Sequence, residues 1–275
     1  MCHLPLHYAG EEAATPSGVD PNAADTPPTI PGRVQEHIAI LGAGRMGTAL
    51  ASALRAAGVR VSGPYGRGER LPAADAVILC VPDAEIPNAA EAVAGVAPMV
   101  GHTSGATPLS ALQPAGATAF GLHPLQTVPD PDDRPFGSAI FAGAGCAVAG
   151  ETPAALALAE RLARAAGMTP FEIADEDRAA YHAAASIASN FLVTLQAVAE
   201  RVGAQAGLDR RLLAPLVRRT VENWVELGPE RALTGPVARG DEETVARQRA
   251  ALPAELVPLF DALVEATRDL AGVRA

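Results

Sequence analysis

Apolar residues fall along this chain in two successive rhythms. From residue 38 to 173, short unbroken apolar runs alternate with longer stretches whose apolar positions recur every three or four residues. The runs at 38–41, 59–62, 75–81, 99–102, 117–122 and 169–173 predict strands buried on both faces, and the glycine-broken stretch 140–149 predicts one or two edge strands. Residues 48–57, 86–94 and 152–166 predict helices, the first stopped by Gly58 and the last by Gly167. Such alternation predicts an α/β fold, a doubly wound parallel sheet of Rossmann type. After 174 the strand signal ends. A very long helix capped by Asp175 or Asp177 is expected to reach Ala206 and stop at Gly207. Helices at about 209–227, 242–251 and 254–272 follow, with a loop between Gly228 and Asp241. The expected division is a disordered leader at 1–35, a dinucleotide-binding domain at 36–174 and an all-helical substrate and dimerisation domain at 175–275.

The first strand runs directly into Gly42, Ala43, Gly44, Arg45, Met46 and Gly47. Strand, G-x-G-x-x-G, helix is the arrangement that receives a dinucleotide pyrophosphate. The first glycine permits the tight turn, the second lets backbone approach the phosphates, and the third lets helix pack on strand. Free N–H groups at the helix start, around Arg45 and Met46, face the anion. NAD-binding members of this fold place an acid about 20 residues further on, to hold the ribose 2′-hydroxyl. Here that region carries Ser62 and Arg67 instead, groups suited to a 2′-phosphate, so NADP(H) is the expected cofactor. The nicotinamide is expected over Val81, Pro82 and Ser104, beyond the carboxyl ends of the next two strands.

Composition narrows the setting. The formal net charge of −10 argues against nucleic acid or an anionic membrane as partner. Every one of the 21 basic residues is arginine, so no lysine is present to donate a proton or form a Schiff base. Three cysteines without a C-x-x-C spacing suggest neither a disulfide framework nor a metal site. The first residues lack a basic and an apolar region, and no apolar run approaches spanning length, so a soluble cytoplasmic protein is expected.

Reduction of a C=O or C=N group by hydride also needs a proton, and a histidine is the commonest donor. His123 ends one strand and His182 lies early in the long helix, so both are candidate general acids. His182, Ser186, Ser189 and Asn190 cover about a 100° sector of that helix, a polar stripe on an otherwise apolar element. Asn190 and Ser186 are expected to orient a small-molecule substrate. The bland alternative is serines bonding back to their own helix. Arg239, in a glycine- and proline-rich turn before Asp241, and Arg219 offer sites for a substrate carboxylate or phosphate. His37 precedes the first strand, on the wrong side of the sheet, and reads as structural.

Five motifs, in order, carry a resemblance: 42–47, 102–105, 121–126, 181–190 and 234–241. Together they resemble a family of predicted NADP-dependent oxidoreductases that joins a Rossmann-like domain to a helical domain of unknown function. That family is more distantly similar to pyrroline-5-carboxylate reductase, prephenate dehydrogenase and the β-hydroxyacid dehydrogenases. The resemblance implies NADP binding, a C-terminal domain like that of 6-phosphogluconate dehydrogenase, and a homodimer built through the helices. One departure matters. The β-hydroxyacid dehydrogenases and ketopantoate reductase carry a K-x-x-x-N pair on the long helix, whereas Ser186 stands four residues before Asn190 here. The sequence therefore supports two readings. One is an NADPH-dependent reductase of a small anionic oxo- or imino-acid, a ketopantoate-type 2-oxo acid among the options. The other is a non-catalytic NADP(H)-binding sensor or scaffold.

Overall fold

The computed structural model describes residues 34–272 apart from 131, 134 and 135; all but the last two residues of the expected leader lie outside the described residues. Seven strands form one sheet: β1 (His37–Leu41), β2 (Arg60–Tyr65), β3 (Ala76–Leu79), β4 (Met99–His102), β5 (Thr118–Leu125), β6 (Gly145–Gly150) and β7 (Thr169–Glu172). Their order is β2-β1-β3-β4-β5-β6-β7. The chain passes from β1 to one side and then returns to the other, so the topological switch point lies between β1 and β3.

The central strands β1, β3, β4 and β5 are apolar on both faces because both are covered. Ile38, Ile40, Ile78, Phe120 and Leu122 pack on α1 (Arg45–Ala56) and α3 (Pro153–Ala165) through Leu50, Leu54, Leu158 and Leu162. Their neighbours in the strands, Ala39, Leu41, Val77, Leu79 and Val100, meet Ile86 and Ala90 of α2 (Ile86–Ala92), together with Leu112. The period of two along a strand places alternate residues in these two layers.

Three strand expectations need correction. The sheet is not wholly parallel: β6 pairs antiparallel with β5, and among the described residues no crossover helix separates them. Nor is β6 an edge, since β7 lies beside it. Finally, β2 and β5 run three residues past their expected ends, through Pro64 and Pro124.

After β7 the described chain is helical. A turn at Asp175–Asp177 leads into α4 (Arg178–Ser186), a π-helical segment (Ile187–Phe191) and α5 (Leu192–Gly203), and Gly207 ends the run in the left-handed region at φ +72°. Then come α6 (Arg210–Leu227), capped by the Asp209 carboxylate, the short α7 (Pro229–Ala232), α8 (Glu242–Ala250) and α9 (Val257–Ala271). The continuous helix Asp175–Ala206 spans 32 residues, and its most apolar stretch has a mean hydropathy of 1.2. By length and composition it is able to cross a bilayer, contrary to the expectation that no run approaches that length. Polar positions at His182, Ser186, Ser189 and Asn190 disguise the run in the sequence. None of that stretch is buried within the chain.

Candidate functional site

The glycine loop follows β1 at the switch point, and its three glycines answer to different neighbours. A Cβ on Gly42, at φ +115°, would lie 2.1 Å from the Cys80 carbonyl oxygen, and one on Gly47 would lie 1.9 Å from the Gly42 oxygen. Those two positions are fixed by the packing of β1, β3 and α1. A Cβ on Gly44 would meet nothing within 4 Å. Gly44 is the N-cap of α1, in extended conformation and without a side-chain cap, so the N–H groups of the first turn point outward unanswered by any capping side chain. The fold thus requires Gly42 and Gly47, while Gly44 is small toward open space. An anion approaching the helix start needs that bare surface. Ala43, Gly44 and Arg45 are exposed there, whereas Met46 packs partly on the core.

A groove of about 690 Å³ continues from this loop along the carboxyl ends of β1 and β3, lined by Gly42, Gly44, Val81 and Pro82 and, further out, Arg67 and Glu85. The Arg67 side chain is 88% exposed and touches Glu85 at 3.5 Å, a pairing too loose to hold it. Glu69, in the same groove, accepts the Gly66 N–H at 2.6 Å. Ser62 does not reach this groove. Because β2 extends to Tyr65, Ser62 pairs with Ala39 in mid-strand, and its Oγ lies 3.1 Å from Nε2 of His37. Ser104 is likewise spent on structure: its Oγ accepts the N–H groups of Ala106 and Thr107 at 3.2 and 3.0 Å and is buried. Thr103, one residue earlier, faces the cleft instead.

A cleft of about 540 Å³ connects the glycine loop to the long helix. Gly44, Arg45, Met46 and Val81 line one wall, and Ser189 and Asn190 of the π segment line the other. It opens into a second cleft of about 690 Å³ that holds His123, Tyr181, His182, Ser186, Ser189 and Asn190. The polar stripe is therefore assembled on one side of one cavity, although Ser189 donates to the Ala185 carbonyl at 2.7 Å, as the bland alternative has it. The π segment was not legible in the sequence; such segments recur at functional sites.

His123 and His182 have ring centroids 6.3 Å apart. Burial, reinforced by His182, pushes His123 down to about 4. It is neutral at pH 7 and holds no spare proton to give away. Its Nδ1 lies 2.5 Å from the hydroxyl of Tyr181, which packs edge-on against His123 and Phe171. Gly105 lies against the imidazole: a Cβ there would be 2.8 Å from Cε1. Behind this pair, on the same sheet face, His102 and Arg178 are buried. Arg178 Nε donates to Asp175 at 2.6 Å, while its Nη2 and the Nε2 of His102 have no hydrogen-bond partner among the described residues. Burial, then the nearby Arg178 charge, pushes His102 down to about 4. Sequence reasoning missed Tyr181 and Arg178. The signals for Tyr181 were its place beside His182 and at the head of the motif 181–190.

The two expected substrate arginines line neither cleft. Arg219 pairs with Glu222 on the exposed surface of α6, and Arg239 sits exposed in the turn Val237–Arg239. Both were read from charge and turn composition, which do not reveal the direction a helix face takes. Among the described residues, no three His, Cys, Asp or Glu side chains gather as a metal site would require.

Residues 144–267 match the model of a domain of unknown function, DUF2520. No curated protein matches the sequence. Among solved structures, the chain is similar to BF3122 of Bacteroides fragilis, named as a candidate NADP oxidoreductase, at 20% identity and a TM-score of 0.73 over 85% of this chain and 98% of that one. It is similar to TM1727 of Thermotoga maritima at 23% identity and a TM-score of 0.69, over 86% and 99% of the two chains. A pyrroline carboxylate reductase of Plasmodium falciparum with NADP bound is similar at 12% identity and a TM-score of 0.55, over 86% and 98%. At these identities the likeness establishes the fold: a Rossmann-type sheet followed by a helical region.

Proposed function

We propose that this chain is an NADPH-dependent oxidoreductase that transfers a hydride to a small anionic oxo- or imino-acid. The observation that carries the cofactor half is the contrast among the three glycines of the loop, of which Gly42 and Gly47 are closely packed and Gly44 is bare toward open space. The uncapped start of α1 would hold the pyrophosphate, Arg67 the 2′-phosphate, and Val81, Pro82 and Thr103 would flank the nicotinamide. When bound, the cofactor supplies a hydride. The structural relatives that carry NADP in their names favour this reading.

The substrate half rests on the continuity of the clefts. Asn190 lies at their junction, within reach of both the glycine loop and the histidine cavity. Asn190 and Ser186 orient the substrate, and the cluster of His123, Tyr181 and His182 surrounds the group that is reduced. A sensor without catalysis has no need of so many titratable groups in the cavity. The test is NADPH oxidation over a panel of 2-oxo acids, including ketopantoate, and cyclic imino acids. Turnover of one class identifies the substrate, whereas tight NADPH binding with no turnover favours the sensor.

The helical region carries the second part of the proposal, a homodimer with 175–275 as its dimerisation unit. Phe191, Val193, Leu212, Leu216, Trp224 and Val225 are 56 to 70% exposed, and no residue of α5 or α6 is buried. Apolar faces of that extent signal a partner. A second copy fits a cytoplasmic protein, and sedimentation in the absence of lipid tests it.

A further inference from the structure

We propose that Tyr181, held in place by His123, is the proton donor of the reduction; this rests on the reductase reading above. The chain has no lysine to serve, and His123 is neutral. Tyr181 sits at the start of the long helix, in the cleft wall, with its hydroxyl 2.5 Å from Nδ1 of His123. Its ring is wedged between His123 and Phe171, at centroid distances of 5.5 and 5.9 Å. Contacts on two sides and a bond at the tip fix the hydroxyl, which is what a positioned proton donor requires. His182, by contrast, makes no side-chain hydrogen bond among the described residues and is only loosely apposed to His123. The other titratable groups facing Tyr181 are Cys146 on β6 and Arg178 on its own helix.

The step balances. The hydride would come to the substrate carbon from the reduced cofactor, which Gly44, Val81 and Thr103 would hold and which would be oxidised in turn. The π pair of the C=O or C=N bond passes to the heteroatom, which takes the proton of the Tyr181 hydroxyl. The resulting phenolate accepts the Nδ1–H of neutral His123 and recovers a proton from water. Here His123 acts as a positioning residue, in the tautomer with its proton on Nδ1. Gly105 gives its ring room, since a side chain there would displace it. Burial pushes the Tyr181 hydroxyl up to about 12, and Arg178, whose Nη2 lies 3.5 Å from where a Cβ on Gly121 would stand, opposes that rise with a buried positive charge.

The test compares Tyr181→Phe, His123→Gln, His123→Ala and His182→Gln with the wild type. Its readouts are NADPH affinity by nucleotide fluorescence, melting temperature, the tautomer of His123 by ¹⁵N-histidine NMR, and NADPH oxidation with pyruvate, ketopantoate and a cyclic imino acid. Tyr181→Phe keeps the ring contacts. It is expected to lower kcat about 10²- to 10⁴-fold, with KM, NADPH affinity and melting temperature nearly unchanged. His123→Gln, which keeps a hydrogen-bonding group near the phenol, is expected to retain more turnover than His123→Ala. The Nδ1 resonance of His123 should move in Tyr181→Phe. Wild-type kcat in Tyr181→Phe, with turnover lost in His182→Gln, would overturn the proposal and move the proton to His182. Failure of the wild type to bind NADPH, or to reduce any of the probes, would overturn the reductase reading and this proposal with it.

Discussion

Replacing Gly44 with alanine separates what the fold needs from what the cofactor needs. The new methyl meets nothing within 4 Å, and the backbone at φ −78° and ψ −173° is open to any residue. Loss of unfolded-state freedom favours the variant by about 0.4–1 kcal/mol. A poorer N-cap costs a similar amount, so stability should stay within about 1 kcal/mol of the wild type. Bound pyrophosphate, however, would be pushed off the first turn of α1. Loss of one or two charge-assisted bonds, each worth about 1.5–3 kcal/mol, weakens NADPH binding about a hundredfold. Gly42→Ala is the contrast. Its Cβ would lie 2.1 Å from the Cys80 oxygen at φ +115°, and overpacking with backbone strain should cost about 2–5 kcal/mol. Thermal melting and NADPH fluorescence titration of both variants make the comparison. Wild-type NADPH affinity in Gly44→Ala would refute the placement of the phosphates. Destabilisation as large as that of Gly42→Ala would refute the argument from space.

Other expectations follow from the same geometry. Arg67→Ala should weaken NADPH about 10- to 100-fold and leave NADH unchanged, because the side chain is exposed and bound to nothing firmly; parallel titrations check it, and its melting point should not move. Buried His102 is held down to about 4, so it is neutral in the folded chain while the unfolded chain takes up protons below about 6.5. Its stability cost is absent above that value and grows as pH falls toward 4, reaching about 2 kcal/mol at pH 5; His123, held down equally, adds a similar amount, and urea unfolding at pH 7.5 and 5 should record their sum. Leu212→Glu with Leu216→Glu, one turn apart, puts charge on an exposed apolar face of α6. Sedimentation should show the wild type at twice the chain mass and the variant at one chain mass, and a wild type at one chain mass would refute the dimer.

Much of this molecule was legible in its sequence where local chemistry decides the outcome. Gly207 and Asp209 mark the end of one helix and the start of the next because a left-handed stop and a carboxylate cap act within a few residues. The glycine loop was legible for the same reason. Two strands were placed too short: the apolar runs 59–62 and 117–122 stop before Pro64 and Pro124, yet β2 and β5 continue through those prolines beside partners supplied from elsewhere in the chain. That shift of three residues turned Ser62 from a phosphate contact into a mid-strand residue. The reversed direction of β6 goes with the lack, among the described residues, of a crossover helix, a feature of connection rather than of pattern. In the site, the stripe from His182 to Asn190 was legible as helical spacing. Tyr181 and Arg178 gain their meaning from β5 and Asp175, and no periodicity encodes those contacts.

The most direct test of the central claim is a fluorescence titration of the wild-type chain with NADPH and, in parallel, NADH. Saturable binding of one NADPH per chain, at least tenfold tighter than NADH, is the expected result. Absence of binding by either nucleotide would contradict the account at its base, and tighter binding of NADH would contradict the role given to Arg67.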